Sequence, residues 1–299
     1  MADDIKLFAV VGNPISHSIS PKIHNDWIAK HGLKAFYSPL LIQNEADFCK
    51  VIPLLPKLGF CGINITVPFK QTAFSICDEI DDSAANIKAV NCIKFSNGNL
   101  IGYNTDCFGF AEPLKLIAKN NNLHIKKAIV IGGGGASRAV IQALIDDDIK
   151  IDIYNRTQSK LDEILADFTS KQTTTSLVRR FAQNFKGKQN LRQLECTKNM
   201  IQKPNITIIS GNLNEINLEE YDLIVNATSV GLKDNDLLEI NYKTINKNAI
   251  CYDLIYKKTS LTPFLQEVQN FGVKYIIDGT QMLHLQAAKS FEIWHGFMP

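Results

Sequence analysis

The chain has 299 residues, 45% of them hydrophobic and 21% charged, with a formal net charge of +2. That is enough for one large globular domain or two of ordinary size. The near-neutral balance supplies no field for a nucleic-acid partner, and no run of about 18 apolar residues is present to cross a bilayer.

The start, MADDIKLFAVVG, is acidic and lacks the basic segment of a signal peptide. Seven cysteines are scattered without any C-x-x-C, most within apolar runs, which fits a reducing compartment. A cytoplasmic chain is expected, a monomer or homodimer, acting on a small molecule with no nucleic-acid or membrane partner. Six histidines show no metal-ligand spacing. His17, His24 and His31 recur every seven residues and read as surface or helix-end side chains, so no metal is expected.

In chain order, a strand over IKLFAVVG leads to a helix with Ser20 as its N-cap and Pro21 as its first residue. Ile23, Trp27 and Ile28 form its apolar stripe. A strand near Ala35–Leu41, a Pro-interrupted helix from Asn44, the strand CGINITV and a short helix after Pro68 follow. AVNCIKFSNGNLIGYN reads as a hairpin turning on Asn97-Gly98. After Asn104–Asp106 a helix bridges to KKAIVIGGGGASRAVIQALI, a strand, glycine turn and helix that IKIDIY completes as a βαβ unit. Further strands are expected at Asn205–Ser210, Tyr221–Val225, Ala249–Leu254 and Val273–Ile277, giving a mostly parallel sheet. The last helix, TQMLHLQAAKSFEIW, is expected to leave that sheet and cross back.

Lys171–Asn205 holds eight basic residues and one acidic residue, a net +7. Leu177, Phe181 and Phe185, four apart, mark an amphipathic helix inside it. The segment reads first as a solvated insertion, with steering of an anionic cofactor, or nucleic-acid or partner binding without any nucleic-acid fold signature, as alternatives.

Gly132, Gly134 and Ser137 occupy the three positions of G-x-G-x-x-G, with Gly133, Gly135 and Ala136 between. Glycine permits the tight turn and lets the backbone approach a pyrophosphate, while the helix that follows offers its N-terminal N–H groups. A nicotinamide dinucleotide is expected. The next strand ends in Asn155-Arg156-Thr157 rather than in an acid. A carboxylate there would suit a ribose 2′-hydroxyl; Arg156 suits a 2′-phosphate, which points to NADP. Thr157 can cap the next helix at the same time.

The first half carries G-N-P-I-S-H-S-I-S-P at Gly12–Pro21, N-I-T-V-P-F-K at Asn64–Lys70, A-V-N at Ala89–Asn91 and N-T-D at Asn104–Asp106. The second adds N-A-T-S at Asn226–Ser229, Y-D-L-I-Y at Tyr252–Tyr256 and D-G-T-Q-M-L-x-x-Q at Asp278–Gln286. In this order, from about residue 7 to 296, the blocks closely resemble the shikimate dehydrogenase family. The resemblance implies NADP-dependent interconversion of 3-dehydroshikimate and shikimate, a step of aromatic amino acid biosynthesis. It implies a catalytic pair, Lys70 and Asp106, and a substrate carboxylate held by Ser18 and Ser20 with Tyr256 closing over it. Thr66, Asn91 and Gln286 would hold the ring hydroxyls, and Gly279 and Met282 would lie at the nicotinamide.

The expected fold class is α/β with two domains and a cleft between them. Residues 1–106 with 279–299 form the substrate domain; residues 107–278 form the Rossmann-type NADP domain. Two alternatives stand beside the biosynthetic dehydrogenase: a quinate/shikimate enzyme with broader cofactor use, and a non-catalytic ligand-sensing relative. Many relatives continue past the W-H-G block, whereas this sequence stops at Pro299, so Trp294 and Phe297 are expected to be more exposed.

Overall fold

A computed structural model describes residues 5–169, 205–209, 211–233, 235–257 and 260–299. The chain divides into two compact units, Met1–Pro113 with Gln281–Pro299, and Leu114–Thr280. The basic run lies outside the described residues except for Asn205, and the helix expected over Leu177–Phe185 lies wholly outside them.

The first unit runs β1 (Lys6–Gly12), α1 (Ser20–Lys30), β2 (Ala35–Leu41), α2 (Glu45–Val51), β3 (Phe60–Ile65), α3 (Lys70–Ile76), β4 (Glu79–Ile80), α4 (Asp82–Ala85), β5 (Cys92–Ser96) and β6 (Asn99–Tyr103), then enters α5 (Asp106–Asn120). Its mixed sheet has the order β2-β1-β3-β5-β6-β4. β1 pairs in parallel with β2 and β3, and β3 pairs antiparallel with β5. A parallel central strand is buried on both faces, so β1 reads as an unbroken apolar run whose alternate residues serve different cores. Phe8 and Val10 join Ile28, Tyr37 and Phe291, while Ala9 and Val11 join Phe48, Ile52 and Phe69.

Local chemistry sets the element ends. Asn44 caps α2 by accepting from the Asp47 N–H. Pro53 and Pro56 lack amide donors, and the chain tightens into a 3₁₀ turn over Ile52–Leu58. Asn97 and Gly98 both take positive φ, 51° and 84°, as a type I′ hairpin turn demands.

In the second unit, β7 (Lys127–Ile131), α6 (Gly135–Asp146), β8 (Lys150–Tyr154), α7 (Gln158–Thr169), β9 (Ile206–Ile209), β10 (Leu223–Asn226), β11 (Ile250–Asp253), α8 (Pro263–Asn270) and β12 (Tyr275–Ile277) precede α9 (Gly279–His295). The sheet is wholly parallel, in the order β12-β11-β10-β7-β8-β9. That is the doubly wound Rossmann order, with its topological switch point between β7 and β10. The two-domain α/β class expected from the sequence is thus the observed one.

Three expectations need correction. Ser20 is not the N-cap of α1: Ile19 holds that place in αR conformation, and Ser20 is the first helical residue. The turn closed by Ser18 N–H on Ile15 O already bends the chain, and the Ser18 hydroxyl accepts the Ser20 N–H at 3.3 Å. His24 is not a surface side chain but 1% exposed. Trp294 is packed rather than bare: it stacks on Phe8 at 5.0 Å and donates its Nε1–H to Ile93 O at 3.1 Å, whereas Phe297 stays 38% exposed.

Candidate active site

The first sheet has its own switch point, because the chain leaves β1 for β2 on one side and β3 on the other. Ligands of such sheets bind outside the carboxyl ends of the strands. Pairing aligns Val11 with Ile65, Asn64 with Cys92, and Cys92 with Tyr103. The residues just past those positions therefore gather at one end of the sheet: the loop of Ser18 and Ser20 after β1, Thr66 after β3, Asn91 before β5, and Asn104–Asp106 after β6. Gly12 allows the first two loops to close, since a Cβ there would overlap the Thr66 methyl.

At this end Lys70, the first residue of α3, meets Asp106, the first residue of α5. Lys70 Nζ lies 2.6 Å from Asp106 Oδ2, with the side chains 17% and 7% exposed. Asp106 Oδ1 accepts from Asn91 Nδ2 at 2.8 Å, and its backbone N–H is capped by Asn104 Oδ1 at 3.0 Å. A carboxylate in the first turn of α5 also gains from the helix dipole. Asn91 is itself fixed: Nδ2 donates to Thr105 Oγ1 at 3.0 Å and Oδ1 accepts the Thr105 N–H at 2.8 Å. The result is an ammonium ion held at one point by a carboxylate whose second oxygen is already engaged. Such a pair can deliver a proton and stabilise negative charge on a neighbouring oxygen.

A buried polar chain extends from this pair. Thr105 Oγ1 lies 3.2 Å from Ser290 Oγ, which accepts from Asn64 Nδ2 at 2.8 Å and donates to Gln286 O at 3.0 Å. Asn64 Oδ1 in turn accepts from the Tyr37 hydroxyl at 2.8 Å. Gln286 sits one turn before Ser290 on α9 and is half-buried. It comes close to α5 because Gly109 has no side chain; a Cβ there would stand 2.6 Å from Met282 O and 3.0 Å from Gln286 Cβ. Ser20 and Met282 are buried, and Ser18 and Thr66 half-buried.

The second unit holds the remaining expected residues. Gly132 follows β7 at φ 126°, and a Cβ on it would lie 2.7 Å from Ala227 O, so only glycine fits the switch point. Gly133 backs onto Asn155, whose Nδ2 donates to Thr157 O at 3.0 Å. Gly134 has nothing within 4 Å of where its Cβ would stand, which leaves open space over the first turn of α6. The N–H groups of Gly135 and Ala136 begin that helix and lack intrahelical acceptors. Arg156 is exposed just past β8, with no ion pair among the described residues. This donor set fits a dinucleotide carrying a 2′-phosphate: a glycine cradle, a helix N-terminus and an uncommitted guanidinium. Tyr256 is half-buried on the loop after β11, and burial raises its phenol above the ordinary value. Gly279 opens α9, donating its N–H to Ile255 O at 3.0 Å, and only glycine fits beside the Leu254 carbonyl. Among the described residues no group of three or more His, Cys, Asp or Glu is placed to hold a metal, and no helix is long and apolar enough to cross a membrane.

Two family models match the sequence: the shikimate dehydrogenase substrate binding domain over residues 10–93, and shikimate / quinate 5-dehydrogenase over residues 115–223. A shikimate dehydrogenase (NADP(+)) of Prochlorococcus marinus strain MIT 9515 is 37% identical, covering 98% of this chain and 93% of its own. The chain belongs to the shikimate dehydrogenase family. The fold agrees with solved members. Shikimate dehydrogenase of Aquifex aeolicus superposes with a TM-score of 0.78 at 33% identity, over 99% of this chain and 94% of that one. Shikimate 5-dehydrogenase of Thermus thermophilus, solved in complex with NADP(H) and shikimate, gives 0.74 at 28% identity, over 99% and 95%.

Reading the sequence missed the scaffold behind the Lys70–Asp106 pair. Ser290, Thr105 and Tyr37 are 0–2% exposed and carry its polar links. The one signal available was Ser290 itself, a hydroxyl in an apolar helix stretch four residues after Gln286.

Proposed function

We propose that this chain reversibly reduces 3-dehydroshikimate to shikimate with NADP as cofactor. The observation that carries the reading is the Lys70–Asp106 pair at 2.6 Å, clamped by Asn91 at the carboxyl end of the first sheet. When bound, the reduced dinucleotide supplies the hydride to the carbonyl carbon. Lys70 gives one ammonium proton to the carbonyl oxygen as that oxygen gains charge, and its cation stabilises the developing alkoxide. Asp106 holds the ammonium on station and balances its charge. In the oxidative direction the neutral amine of Lys70 takes the hydroxyl proton back.

In this reading the Ser18 and Ser20 hydroxyls, with Tyr256, receive the substrate carboxylate, and Thr66, Asn91 and Gln286 receive its ring hydroxyls. Gly132–Ala136 receive the pyrophosphate, Asn155–Thr157 the 2′-phosphate, and Gly279 and Met282 border the nicotinamide. Residues 1–106 with 279–299 serve the substrate and residues 107–278 the cofactor. The protein works in the cytoplasm, without a nucleic-acid or membrane partner, as a monomer or homodimer.

The test is turnover of shikimate and quinate, each with NADP and with NAD, followed by absorbance of the reduced nicotinamide. Shikimate with NADP is expected to give the highest kcat/KM. A preference for quinate, or indifference between cofactors, would move the assignment to the broader quinate/shikimate reading. Binding of both ligands with no turnover would make the chain a sensor.

A further inference from the structure

Asp253, the last residue of β11, is fully buried. Its carboxylate accepts from three neutral donors: Asn226 Nδ2 at 3.0 Å, the Ile255 N–H at 3.0 Å and the Thr262 hydroxyl at 2.5 Å. Burial, with Asp278 nearby, raises its carboxyl to about 6. A buried carboxylate costs stability relative to an apolar residue of the same shape, so packing alone does not account for it.

What its accepting oxygen does is orient Asn226. An ionised carboxylate only accepts, so Asn226 must present its amide nitrogen to it. The other Nδ2 hydrogen goes to Val230 O at 3.0 Å. Asn226 Oδ1 is thereby turned toward Thr228, accepting its N–H at 3.1 Å and its hydroxyl at 2.7 Å, while Thr228 Oγ1 accepts the Val230 N–H at 3.0 Å. The whole 227–230 loop follows from the direction of one amide. Ala227 O of that loop is the atom against which Gly132 fits. Through Ile255 the same carboxylate anchors the loop after β11, whose Ile255 O accepts the Gly279 N–H that opens α9.

A dinucleotide lies across the switch point. Arg156 marks the β8 side as the adenosine half, so the loops after β10 and β11 border the nicotinamide half. We propose that Asp253 is a positioning residue of the cofactor site, which by fixing the Asn226 amide sets the 227–230 and 254–256 loops against the nicotinamide half of NADP. The inference rests on the dinucleotide reading of this crevice.

The test uses the full chain without substrate and measures binding calorimetrically with two probes, NADP and adenosine 2′,5′-bisphosphate, which lacks the nicotinamide half. Asp253→Ala is expected to weaken NADP by about tenfold or more, roughly 1.4 kcal/mol, and to leave the bisphosphate within about twofold. Asp253→Asn keeps an acceptor for Asn226 and Ile255 and is expected to restore NADP binding. Should Asp253→Ala fail to fold, Thr228→Val removes the same loop's hydroxyl and is expected to reproduce the selective loss. Equal loss of both probes, unchanged NADP binding, or no rescue by asparagine would overturn the proposal. Failure of the dehydrogenase reading would look different: NADP binding with this selectivity intact and no turnover of shikimate.

Discussion

His24 on α1 lies flat against Tyr37 on β2, with ring centroids 4.2 Å apart and planes 1° from parallel. The imidazole is buried, and its Nε2 has no hydrogen-bond partner among the described residues. Tyr37 in turn passes its hydroxyl to Asn64 and so into the polar chain behind Lys70 and Asp106. A buried neutral histidine thus forms part of the wall that holds this scaffold.

A pH dependence of stability follows. Burial, aided by the neighbouring His295, lowers the His24 imidazole from 6.5 to about 3. Between those values the unfolded chain binds a proton that the native chain refuses. The contribution of His24 is therefore complete above about pH 6.5 and declines as pH falls toward 3, by about 1.4 kcal/mol per pH unit. Asp253, raised from 3.8 to about 6, works in the opposite sense, its contribution present below 3.8 and lost as pH rises through 6. Comparison with His24→Phe isolates the histidine. Urea unfolding from pH 7 to 4.5 is expected to show a steeper loss in the unaltered chain; parallel curves would place a charge-bearing or exposed imidazole at this position.

Gly62 on β3 is the seat of Trp294, since an added Cβ would run into the indole. Gly62→Ala is expected to cost about 1–3 kcal/mol by overpacking, read as a lower urea midpoint. A midpoint at or above that of the parent would mean that α9 does not pack on β3 in this way.

Ser290→Ala removes the hydroxyl shared by Asn64 and Thr105. An amide hydrogen on Asn64 is left without its acceptor in a dry site, at roughly 1–3 kcal/mol. Because the network leads to Asn91 and Asp106, kcat is expected to fall several-fold while the KM for NADP stays put. A change confined to thermal stability would limit Ser290 to packing.

Arg156→Ala addresses cofactor choice. Loss of charge-assisted bonds worth about 1.5–3 kcal/mol weakens NADP by about tenfold to a hundredfold. NAD, with no 2′-phosphate, is expected to change little. Equal weakening of both would move the phosphate site away from this strand end.

Much of this was legible in residue order. The apolar run of β1 reads as a strand, the Asn97-Gly98 pair as a hairpin turn, and the glycine turn between strand and helix as a dinucleotide crevice. Side-chain partnerships were less legible, because they depend on registry between distant segments. Lys70 and Asp106 are 36 positions apart; they meet because β3, β5 and β6 align Asn64, Cys92 and Tyr103 across the sheet. His24 looks the same in sequence whether its helix face meets water or protein, and Tyr37, Phe291 and Trp294 decide the matter. Ser20 carries the right chemistry for an N-cap, but the preceding turn starts the helix one residue earlier than that chemistry implies.

Lys70 as the proton donor is the claim on which the mechanism turns. The most direct measurement is steady-state kinetics of Lys70→Ala with shikimate and NADP, beside shikimate binding to the same variant by calorimetry. The expected kcat is lower by about a hundredfold to ten-thousandfold, as for loss of a general acid, with shikimate affinity changed by no more than a few-fold. A nearly unchanged kcat with a raised KM would mean that Lys70 only binds substrate, and would contradict that role.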